Sequence, residues 1–102
     1  MLKVEVYLPE EALEKVRDAV KDYCVSRTGK YTHCMSWFKI RSMWMPVGDA
    51  NPYHGTVGAD EFADEYLLMF KCREEDLDEV MRRIKENHPY EEAVIDVTRL
   101  MN

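Results

Sequence analysis

The sequence holds three histidines and three cysteines, and their spacing limits the chemistry they can share. His33, His54 and His88 stand far apart, and no pair of imidazoles or thiols falls at the i, i+4 or C-x-x-C separations that close a zinc site. The residues therefore give no metal site and no cofactor. His88 with Glu91 and Glu92 is the one remaining cluster, because a carboxylate can orient and polarise an imidazole for general acid–base work. The simpler role of His88-Pro89-Tyr90 is to fix a turn between a helix and an edge strand.

A second group of candidates lies in turns. Gly48 to Gly58 offers backbone amides together with the Asn51, Tyr53 and His54 side chains to a small ligand, and it serves equally well as an ordered loop packed against a neighbouring subunit. Arg27 and Lys30, in another turn, supply positive charge. No glycine-rich phosphate loop and no G-x-S-x-G elbow follows a strand, so a nucleotide lacks its usual cradle and a serine nucleophile its usual mount. Asp60, Glu61, Asp64 and Glu65, like the acids from Glu74 to Glu79, read as solvated faces. Trp37, Trp44, Met35, Met43 and Met45 suit core or interface filling.

The elements that position these residues belong to one domain spanning residues 1–102, since a chain of this length supports a single core. Hydrophobic residues make up 46% and charged ones 33%, the composition of an ordinary globule. A net charge of −6 repels nucleic-acid phosphates and anionic membranes, and no apolar run is long enough to span a bilayer. Neither is expected as a partner. Three cysteines, odd in number and without a C-x-x-C pair, point to reduced thiols in a cytoplasmic protein.

Leu2, Val4, Val6 and Leu8 alternate with Lys3, Glu5 and Tyr7, which predicts a strand with one buried face. Pro9, Glu10 and Glu11 then open a helix that runs to about Cys24 with Leu13, Val16, Val20 and Tyr23 on one side. Tyr31 to Ile40 reads as a second strand despite poor alternation. Residues 45 to 60 hold three of the four glycines and two of the four prolines, hence a long irregular connection. Tyr66, Leu68, Phe70 and Cys72 form one face of a third strand, a second helix follows from Glu74, and Ala93 to Leu100 is a last strand. This order predicts an α+β, ferredoxin-like βαββαβ sandwich with both helices on one face of an antiparallel sheet. Tyr7, Leu67 and Met69 would point to the uncovered face, so a homo-oligomer is expected.

Ser26-Arg27-Thr28-Gly29-Lys30-Tyr31 with Cys34, Ala50-Asn51-Pro52 followed by Gly55 and Gly58, and His88-Pro89-Tyr90-Glu91-Glu92 resemble the domain inserted into proteins of the YqfO (NIF-three-like) family. The closing His-Pro-Tyr-Glu also resembles, more distantly, the CutA family of divalent-cation-tolerance proteins. Both resemblances imply a PII-like version of the ferredoxin fold that assembles as a trimer, with a dimer as the other option. YqfO proteins carry their metal ligands in domains flanking the insert, so the resemblance implies a freestanding relative without that chemistry.

These readings converge on a non-enzymatic cytosolic oligomer that binds a small ligand, ion or protein partner near the 45–60 loop at a subunit boundary, through Arg27, Lys30, Asn51, Tyr53 and His54. One alternative is a metal-dependent or acid–base enzyme built around His88, Glu91 and Glu92. Another is a structural module whose loop serves assembly.

Overall fold

The structure, a computed structural model, describes all residues from Met1 to Asn102. Four strands and two helical segments alternate as the sequence predicts: β1 (Leu2–Pro9), α1 (Leu13–Val20), β2 (Met35–Trp44), β3 (Glu61–Cys72), α2 (Leu77–Asn87) and β4 (Ile95–Arg99). Tight 3-10 turns extend α1 at both ends (Glu10–Ala12 and Lys21–Tyr23), and another (Glu74–Asp76) precedes α2. The sheet runs in the order β2-β3-β1-β4, and every neighbouring pair is antiparallel. This is the ferredoxin-like sandwich expected.

The period-two pattern of β1 sets the layers. Leu2, Val4, Val6 and Leu8 all turn inward and meet Leu68, Phe70 and Cys72 of β3, with Val16 and Val20 of α1 and Val80 and Ile84 of α2 laid over them. Each fully buried Leu or Val in that layer stabilises the fold by about 1.5–3 kcal/mol. Arg83 of α2 donates to the Ala19 carbonyl at 3.1 Å and lies over the Tyr23 ring, which ties the end of one helix to the other. No helix is long and apolar enough to cross a membrane.

The opposite face carries no helix. Register places Phe38 beside Leu67 and Leu67 beside Tyr7, while Met69 sits opposite Glu5. Tyr7, Leu67 and Met69 therefore do lie on the uncovered side, and Phe38, 49% exposed, joins them.

Two boundaries differ from expectation. The second strand begins at Met35, not Tyr31, because residues 26–34 are tied into a turn: the Ser26 amide donates to the Tyr31 carbonyl, the Cys34 amide to the Cys24 carbonyl, and His33 takes a positive φ of 60°. The same strand continues past Ile40 to Trp44, paired to a β3 that starts four residues before Glu65. This long β2–β3 hairpin stretches the molecule to 47 × 24 × 23 Å.

The three cysteines are free. Burial pushes the Cys24 thiol up to about 12 and that of Cys72 in the same direction.

Replacing Leu68 by Ala is expected to lower the unfolding free energy by about 2–5 kcal/mol in urea denaturation, since its side chain lies wholly inside the layer between sheet and helices. A loss below about 1 kcal/mol would place Leu68 outside a packed core.

Candidate functional site

The 45–60 loop joins the far ends of β2 and β3 and folds back on itself. The Gly58 amide donates to the carbonyl of the buried Pro46 at 2.8 Å, the Ala50 amide to Val47 and the Ala59 amide to Thr56. Gly58 holds a φ of 85°, a left-handed conformation that side chains resist.

Residues 88–94 arrive from the opposite direction, carrying the chain from α2 around the edge of β1 to β4. His88, only 7% exposed, is held by backbone on both ring nitrogens. Nε2 lies 2.7 Å from the Tyr7 carbonyl, which can only accept, so Nε2 carries the proton; Nδ1 accepts from the Tyr90 amide at 3.2 Å. This fixes one neutral tautomer. Burial pushes the His88 pKa below the usual imidazole range, against the opposing pull of the Tyr7 carbonyl and the Glu65 charge. Neither nitrogen faces Glu91 or Glu92: Glu91 accepts from the Asn51 amide at 2.9 Å, and Glu92 is exposed. The cluster acts as the turn that its Pro and Tyr suggested.

Tyr90 is the hub of the site. Its hydroxyl donates to Glu65 at 2.6 Å, and its ring lies between those of Trp44 (6.2 Å between centroids), Tyr53 (5.9 Å), His54 (6.5 Å) and His88 (4.8 Å). Burial and the Glu65 carboxylate push the Tyr90 phenol far above its ordinary range. The loop is fastened from its other side by Glu11, which accepts from the Tyr53 hydroxyl at 3.1 Å and stands 3.6 Å from His54 Nε2. Glu11 is held below the usual carboxylate range, first by its own backbone amide, and the bond that the Tyr53 hydroxyl donates to Glu11 raises the Tyr53 phenol.

These elements enclose a cleft of about 1060 Å³, whose walls include Trp44, Tyr53, His54, Glu65, Tyr90 and Asp96. That is the size of a small-molecule site. No three His, Cys, Asp or Glu side chains of the chain converge closely enough to hold a metal ion.

The structure brings Asn51, Tyr53 and His54 together with His88, Tyr90, Glu91 and Glu92, and leaves Arg27 and Lys30 apart from them. Both cations sit in the turn before β2, and the ten residues of that strand separate them from the loop by roughly 30 Å. Arg27 instead lines a smaller cleft of about 490 Å³ with Lys3, Cys34 and Lys71. Asn51 contributes its backbone amide to Glu91. Trp44 and Glu65 of the larger cleft, and Glu11, which holds Tyr53 from outside it, were not among the candidates. Glu65 is 4% exposed and so does not belong to a solvated acidic face. Its cover is Tyr90, 25 residues along the chain.

A profile of the CutA1 divalent ion tolerance proteins matches residues 9–102. A protein of Staphylococcus epidermidis named GTP cyclohydrolase 1 type 2 homolog is 32% identical over 98 residues, which cover 96% of this chain and 27% of that protein. Among solved structures, a Bacillus cereus protein related to NIF3 superposes with a TM-score of 0.81 at 27% identity, covering 99% of this chain and 26% of the other. CutA1 from Pyrococcus horikoshii superposes with a TM-score of 0.74 at 23% identity, covering 100% and 85%. The chain thus spans about a quarter of the length of the staphylococcal and Bacillus proteins and most of the length of the Pyrococcus one. Both resemblances read from the sequence hold.

Two results are expected of this site. Tyr90→Phe leaves the Glu65 carboxylate without its donor and should cost about 1–3 kcal/mol in urea denaturation; an unchanged midpoint would show the bond to be dispensable. His88 binds protons less readily folded than unfolded, so its contribution is complete above the free imidazole value near 6.5 and falls away as pH drops below it. Between pH 7.5 and 5.5, His88→Asn should therefore lose less stability than the unsubstituted chain, whereas equal losses would contradict the buried neutral imidazole.

Proposed function

Because this chain belongs to the CutA1 divalent ion tolerance family, matched over residues 9–102, we propose that it is a non-enzymatic, homo-oligomeric binding or regulatory module. Its ligand, a small molecule or a segment of a protein partner, is seated in the cleft between the 45–60 loop and residues 88–94. The observation that carries this reading is the cleft itself: four aromatic rings around Tyr90, a buried carboxylate beneath them and a loop stapled on both sides by Glu11 and Glu91. Such an arrangement holds a shape without building a reaction centre. The only imidazole buried in it is committed to backbone.

Self-association follows from the uncovered face. Phe38, Leu67, Tyr7 and Met69 form an apolar band there, and β2 and β4 each leave an unpaired edge. A ring of three copies that turns these faces inward is the assembly we propose. The free thiols suit a reducing cytosol.

The family's name refers to divalent ions; within one copy of this chain no three His, Cys, Asp or Glu side chains converge. The cyclohydrolase name belongs to a protein of which this chain matches 27%, and no such reaction is assigned to it.

Native mass spectrometry of freshly purified protein is expected to give a single trimeric species. Shortening residues 47–58 should leave that trimer intact while removing the thermal shift of any ligand found by screening, about 2.7 kcal/mol of stabilisation at a hundredfold excess over Kd. Dispersal to monomers by the same change would make the loop an assembly device, and a ligand shift that survives it would move the site elsewhere.

A further inference from the structure

Charge is segregated between the two clefts. The larger one is lined by Asp49, Glu65, Glu91, Glu92 and Asp96, with His54 as its only basic side chain, and carries no Lys or Arg although 14 of the 102 residues are one or the other. The smaller cleft, at the opposite end of β2, has Lys3, Arg27 and Lys71 and no carboxylate.

Resting on the reading of the larger cleft as a ligand site, we propose that its ligand is an organic ammonium cation, a small amine or quaternary ammonium group seated against Trp44, Tyr53 and Tyr90 above the Glu65 carboxylate. Three observations support this class over others. Glu65 is 4% exposed, takes one neutral donor from Tyr90 and has no Lys or Arg paired with it, so its site is short of positive charge. Aromatic faces attract a desolvated organic cation, and the Trp44 and Tyr53 rings stand within 6.2 Å and 5.9 Å of Tyr90. A bare metal ion suits the place poorly, since no three ligating side chains converge and the space of about 1060 Å³ far exceeds one ion. An anion would find its charge at the other cleft.

The test uses the whole chain with Trp37→Phe, which leaves Trp44 as the only tryptophan and its emission as the reporter. Choline is expected to change that emission saturably, with one site per chain. Its neutral isostere 3,3-dimethylbutan-1-ol, of the same shape, should bind at least about tenfold more weakly. Asp96→Asn, at an exposed strand position outside the core, should weaken choline about threefold or more and leave the isostere unchanged. Equal binding of choline and the isostere, or of choline to the Asp96→Asn variant, would overturn the charge recognition. Saturable binding of inorganic phosphate or of the isostere alone would also refute the cation while keeping the cleft as a ligand site. If none of the three probes moves Trp44 emission, the cation proposal fails, while the cleft as a ligand site is decided separately by the shortening of residues 47–58.

Discussion

A carboxylate largely withdrawn from water must be answered by a donor, and in this protein the need arises on a sheet face that no helix covers. Glu65 points to that face, and the hydroxyl that answers it comes from Tyr90, carried there by the segment leaving α2. Much of the site follows from this one bond. To bring Tyr90 under the sheet, the chain must round the edge of β1, where the Tyr7 carbonyl has no partner from β4 and takes His88 Nε2 instead. The Tyr90 ring then offers a surface on which Trp44, Tyr53 and His54 gather, and Glu91, the next residue, reaches the Asn51 amide. The loop is ordered by contacts to a segment forty residues away in sequence, together with its own short turns.

The two faces of the sheet divide the work. One face, with Leu2, Val4, Val6, Leu8, Leu68 and Phe70 beneath the helices, supplies the stability of the fold. The other remains apolar in its middle and acidic at its loop end, which suits contact with further copies and recognition of a ligand. The proposed ligand site lies at the loop end of the β2–β3 hairpin, outside the layer between sheet and helices.

The elements most legible in the sequence are those whose burial is decided locally. Leu2, Val4, Val6 and Leu8 alternate because one face of β1 is covered along its length, and Val80 and Ile84 recur at helical spacing because α2 buries one stripe. The second strand was harder to read because it is an edge strand with both faces partly open, so Trp37 and Phe38 stand side by side without breaking it. Turn residues told where a loop lies along the chain and nothing about which loops meet: Arg27, Lys30 and Asn51 looked alike, yet ten residues of strand separate the first two from the third. Glu65 looked like one more solvated acid, because what buries it is a tyrosine that only the fold brings near.

The central claim is that the Tyr90 hydroxyl is held by the buried Glu65 carboxylate, and tyrosine Cζ resonances followed by carbon-13 NMR into alkaline pH measure this directly. Tyr90 is expected to stay unmoved through the range near pH 10 where a free phenol ionises. A Tyr90 midpoint at the free value would mean that no such bond anchors the segment, and that the cleft built upon it is not there.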